Sequence, residues 1–151
     1  MKPIDVSYPQ FFAYFGIFLG LVMSNAGAAY GTAKASIGIA NAGLVDPAKI
    51  FRSIIPIIMA GILGIYGLIV AVILQGRAKE ANAQQAFQYL GAGAACGFSS
   101  LAAGLAIGIA GEKLVQAYAQ TEKIFVGMLL VLIFSEAIGL YGLIIAIIMS
   151  I

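Results

Sequence analysis

Residues 61–74 read GILGIYGLIVAVIL, and residues 136–149 read EAIGLYGLIIAIIM, with seven identities at an offset of 75. Each copy is apolar and free of proline, and only Glu136 brings a charge, which is the texture of a membrane-spanning helix. Two fainter echoes lie outside this match. AKIF at 48–51 returns as EKIF at 122–125, and Tyr14-Phe15-Gly16 returns as Tyr89-Leu90-Gly91. The chain therefore reads as a duplicated helical hairpin.

The rest of the sequence agrees with a bilayer as solvent. Of 151 residues, 62% are hydrophobic and 9% charged, against roughly 25% charged in an average soluble protein. Charge-free stretches run over 6–33, 53–76 and 81–111, and a fourth, 124–151, is broken by Glu136 alone. Each exceeds the ~20 residues that cross a ~30 Å hydrocarbon core. The spacing predicts an all-α membrane protein with four transmembrane helices. A first hairpin, 1–80, holds helices at about 11–34 and 53–76; a second, 81–151, holds helices at about 85–112 and 124–150. The first apolar run is about twice a signal peptide's ~7–15 residues, so it is read as a retained helix.

Two spans per half make the halves parallel through the membrane, unlike the inverted repeats of many transporters. Five cations, Lys34, Lys49, Arg52, Lys113 and Lys123, lie on the loop side, against Lys2, Arg77 and Lys79 on the side of the termini. The bias places those loops in the cytosol. A net charge of +2 without a basic patch points to no nucleic-acid partner.

The odd spans carry small residues at helical spacing, including Gly27, Gly31, Gly104 and Gly108. Such files let helix backbones approach closely in lipid, where packing replaces the hydrophobic effect. They suit an inner ring of helices, and the aliphatic even spans an outer one. Cys96 sits inside an apolar stretch as a small packing residue.

Glu136 is the one carboxyl deep in a span. A charge at mid-bilayer costs at least ~2.5–3.5 kcal/mol, so the group is neutral against lipid and ionised only beside water or a cation. That is the behaviour of a proton carrier. Its repeat partner is Gly61, leaving one carboxyl per four helices. Tyr66, Ser135 and Tyr141 are the polar candidates to support it. A sodium site needs several oxygen ligands, and these are few, so a proton is favoured while a sodium-translocating ring stays open. Histidine is absent, which removes the commonest general base. The run GLAIGIAG at 104–111 has no following GK[ST], so it is no phosphate loop. No enzyme activity, cofactor or metal is expected of this chain.

GAAYGTAK at 27–34, the stretch 54–73, LAAGLAIGIAG at 101–111 and FVGMLLVLIFSEAIGLYGLI at 125–144 resemble the proteolipid c subunits of V-type proton ATPases, over essentially the whole chain. The resemblance implies a homo-oligomeric or mixed c-type ring in lipid, turned by ATP hydrolysis on other subunits of a rotary motor. It also implies a stator a subunit and a central-stalk d subunit as partners, and a vacuolar, lysosomal or other endomembrane location. By position, Glu136 matches the family's proton-carrying glutamate. The stretch EKLVQAYAQTEK at 112–123 departs from the family's usual aspartate and glycines. A small proton-coupled multidrug antiporter is the alternative, although there the acid lies in the first helix and no tandem hairpin occurs.

Overall fold

The computed structural model describes residues 8–151, so Lys2 and the start of the first apolar stretch at Val6 lie outside the described residues. Helices account for nearly all of the described chain: α1 (Tyr8–Val45), α2 (Ile50–Ser53), α3 (Ile55–Gln75), α4 (Ala83–Gln120) and α5 (Phe125–Ser150). Short 3-10 turns link them. Four segments are long and apolar enough to cross a membrane: α1, α2 with α3, α4, and α5.

The core is the contact between α1 and α4, the most extensive in the molecule. Its basis is an eleven-residue recurrence of small residues. On α1 the buried positions include Gly16, Gly27 and Gly38, Ala13, Ser24 and Ala35, and Gly20, Gly31 and Ala42. On α4 they include Gly93 and Gly104, Gly97, Gly108 and Ala119, and Ser100 and Gly111, with the larger Val115 and Tyr89 at the ends of two of these files. Eleven residues make three turns at 3.67 per turn, close to the 3.6 of a straight helix. The two seams therefore stay facing each other over 13–42 and 89–119, or about 45 Å, within helices of 38 residues each. A side chain at Gly108 would place its Cβ 3.0 Å from the Gly31 Cα, so the backbones meet directly.

This length corrects the helix ends read from charge. The spans expected at about 11–34 and 85–112 continue to Val45 and Gln120. Lys34 and Glu112 are not boundaries, because their side chains pair at 3.1 Å between α1 and α4, and the small-residue seam runs on past both. The chain leaves α1 where Asp46 caps the next turn by accepting from the Ala48 N–H and Pro47 follows. A reciprocal cap between Asn82 and Gln85 starts α4. The second span, expected at about 53–76, breaks at Ile54 into α2 and α3, with Pro56 in the first turn of α3, where its missing N–H costs least.

The helices α3 and α5 lie outside this pair, α3 chiefly against α1 and α5 chiefly against α4. Their outward faces carry large exposed aliphatics and aromatics, among them Val72, Phe134 and Ile148. The two sequence hairpins thus interleave in one bundle. Cys96 is fully buried beside Ser24, 3.9 Å from its hydroxyl.

Candidate functional site

Glu136 lies about 16 Å from the start of α5 and about 21 Å from its end, counted at ~1.5 Å per residue. Both of its carboxyl oxygens are buried and neither has a hydrogen-bond partner. A carboxylate left so would carry its full desolvation penalty, whereas a neutral acid carries far less. The pocket is therefore shaped for the protonated form.

Three helices build it. Gly139, one turn beyond Glu136, lets α5 close onto α4 and α3: a Cβ there would lie 2.6 Å from Leu63 Cδ2 and 3.4 Å from Ala103 Cβ. Leu63 is fully buried and walls the site from α3. The level of Leu63 with Gly139 puts Tyr66 six residues, about 9 Å, past the level of Glu136, and a helical side chain leans back toward its own N-terminus. Half-buried Tyr66 is accordingly the titratable side chain that interacts with the Glu136 carboxyl, though short of hydrogen-bond geometry.

Of the expected supporting residues, only Tyr66 is brought to the carboxyl. The Ser135 hydroxyl donates to the Val131 carbonyl of its own helix at 2.9 Å, the usual role of a serine in a membrane helix. Tyr141 is 63% exposed; five residues past Glu136 it stands ~140° around the helix. Gly27, Gly31, Gly104 and Gly108 lie between α1 and α4 of the same chain, so they pack a subunit internally. Leu63 is a wall of the site that sequence reasoning misses, because one leucine in an aliphatic run carries no signal. Its repeat relation to Ile138 is the available clue.

Among the described residues no group of three or more His, Cys, Asp or Glu side chains gathers to hold a metal. Neither Glu136 oxygen has a hydrogen-bond partner among the described residues, whereas a hard-cation site typically gathers ~6–8 oxygens.

Comparison with known proteins returns one family twice. The sequence model for the ATP synthase C subunit matches residues 15–74 and again 90–149, two segments whose starts are 75 apart. The chain is 50% identical over 144 residues to the 16 kDa proteolipid of the human V-type proton ATPase, covering 95% of this chain and 93% of that protein. The protein of the same name from Ascaris suum is 48% identical over 148 residues, covering 95% and 92%. The V-type proton ATPase proteolipid of Dictyostelium discoideum is 51% identical over 146 residues, covering 95% and 74%.

Proposed function

This chain belongs to the ATP synthase C-subunit family, and from that membership we propose that Glu136 is the proton carrier of a V-type ATPase rotor ring. The chain is a multi-pass membrane subunit of the proton-translocating type, like the proteolipids it matches. The observation that carries the assignment to Glu136 is the mid-span carboxyl whose two buried oxygens have no partner.

The chemistry follows from the cost of charge. Facing lipid, the acid is neutral and can be swept through the hydrocarbon. Opposite a cation in a stator a subunit it ionises and releases its proton, and it is reloaded from the other side of the membrane before re-entering lipid. The near-empty donor set supports a proton over sodium, and the family match over both halves displaces the multidrug antiporter. ATP hydrolysis belongs to other subunits and reaches the ring through a central-stalk d subunit, and an endomembrane such as that of a vacuole or lysosome houses the pump.

One carboxyl per four helices halves the protons a turn of the ring would carry with an acid in each hairpin. The same turn then works against a steeper gradient, at ~2.3 kcal/mol per charge per 100 mV. In the assembled V-ATPase, Glu136→Gln keeps the shape of the side chain and removes its ionisation. It is expected to abolish ATP-driven acidification of vesicles while the ring still assembles. Acidification at the normal rate by this variant would falsify the assignment.

A further inference from the structure

The two hairpins repeat their contacts as well as their residues. A Cβ at Gly64 would lie 2.9 Å from Asn25 Oδ1 and 3.5 Å from Ala28 Cβ; one at Gly139 would lie 3.7 Å from Ser100 Cα and 3.4 Å from Ala103 Cβ. One at Gly67 would lie 2.6 Å from the Gly20 carbonyl and against Ser24, and one at Gly142 would lie 2.6 Å from the Ala95 carbonyl and against Ser99. Every residue in the second member of each pair is numbered 75 above its counterpart. One contact breaks the symmetry. Leu63 lies 2.6 Å from the Gly139 Cβ position, and nothing stands at the corresponding place beside Gly64.

That place is a groove of about 400 Å³ between α1 and α3, lined by Leu21, Asn25, Ala28, Gly61, Gly64 and Leu68. A Cβ at Gly61 would meet nothing within 4 Å. The repeat names what is missing. Leu63 corresponds to Ile138, which is 43% exposed, and Tyr66 corresponds to Tyr141, which is 63% exposed. Both stand on α5, where they cannot reach the groove of their own chain.

We propose that the Gly61–Gly64 groove of one copy receives Ile138 and Tyr141 of a second copy of this chain. The contact inside a chain, with Leu63 and Tyr66 seated at Gly139 and Glu136, is thereby reproduced between chains at Gly64 and Gly61. Such an interface joins two different surfaces, and repeated by rotation it closes into a ring. In this seat Tyr141 has no carboxyl opposite it. The polar group in the groove is the Asn25 carboxamide, whose Nδ2 donates to the Leu21 carbonyl at 2.9 Å and whose Oδ1 is turned to Gly64. Half the hairpin junctions of the ring therefore carry the acid, and the other half are structural.

The proposal rests on the ring reading, and its test does not depend on proton transport. In the intact V-ATPase with Cys96→Ala, Gly61→Cys and Tyr141→Cys are combined and the membranes oxidised with copper phenanthroline. A ladder of covalently linked copies is expected on a non-reducing gel, absent from either single variant, and retained when Glu136→Gln is added. Leu63→Cys with Gly139→Cys is the control, because it links within one chain. A closed control pair without a ladder overturns the proposal, whatever Glu136→Gln does to pumping. As a second measurement, Gly61→Leu fills the groove and is expected to lower the yield of assembled ring at least fivefold. Adding Tyr141→Ala is expected to recover most of that loss; no recovery refutes the seat.

Discussion

The α1–α4 seam makes a quantitative demand that one methyl group can test. At Gly27 a Cβ would lie 2.5 Å from the Ser100 carbonyl oxygen and 2.7 Å from Leu101 Cα, against ordinary contact from 3.4 Å outward. In Gly27→Ala the helices must part locally by about 0.7–0.9 Å, the difference between those distances. A gap of ~0.5–1 Å forfeits a quarter to a half of each dispersion well along the seam, and overpacking a tight interior typically costs about 1–3 kcal/mol. Lipid offers no hydrophobic term to offset it. The alanine does gain helix propensity, up to ~1 kcal/mol over glycine. Gly127→Ala carries the same gain, and there the new Cβ meets nothing within 4 Å. The assay is the midpoint of thermal unfolding of the purified protein in detergent, followed as loss of helix. At ~2–4 °C per kcal/mol for a chain of this size, Gly27→Ala is expected several degrees below Gly127→Ala. Equal midpoints, or a higher one for Gly27→Ala, would show that direct backbone contact is not what holds the subunit together.

Tyr66→Phe keeps the ring that covers Glu136 and removes its hydroxyl, so proton pumping by the reconstituted V-ATPase is expected to fall several-fold with ring yield unchanged; Ser135→Ala, which loses only a bond to its own helix, is expected to change the rate less than twofold. Lys34→Ala leaves Glu112, 12% exposed, with Lys113 at 3.5 Å as its remaining partner. Its thermal midpoint should drop, and adding Glu112→Ala should recover part of the loss, a coupling measured by the double-mutant cycle.

The four spans, and the place of Glu136 inside one of them, were legible in the sequence because lipid punishes charge: where charges are absent the chain crosses, and an acid left inside a span marks the candidate site. The ends of α1 and α4 were not legible from that rule. Lys34 and Glu112 close charge-free stretches and look like helix ends when each is read alone. As a pair between two helices they permit the seam to continue, and only the eleven-residue recurrence through Gly16, Gly27 and Gly38 announces that it does. The supporting residues divide in the same way. Tyr66 and Tyr141 are identical in local sequence, Tyr-Gly-Leu-Ile in both, so no local reading separates them. Their difference is one of neighbours: Tyr66 has a hairpin of its own chain to lean on, and Tyr141, at the outer edge of the second hairpin, has none.

That asymmetry gives a reason for glycine at position 61. On the proposed interface, a duplicated hairpin begins with two equivalent junctions, one inside the chain and one between chains, and each would hold an acid against a tyrosine. Replacing one acid by any polar residue of similar size would leave a buried group that still required a partner in the membrane. Glycine removes the group and its volume together, so the junction can close on Ile138 and Tyr141 without a buried acid. On the proposed interface and the proposed role of Glu136, the open space beside Gly61 and the unpartnered carboxyl oxygens are two results of one duplication: a junction emptied for packing, and a junction kept for the proton.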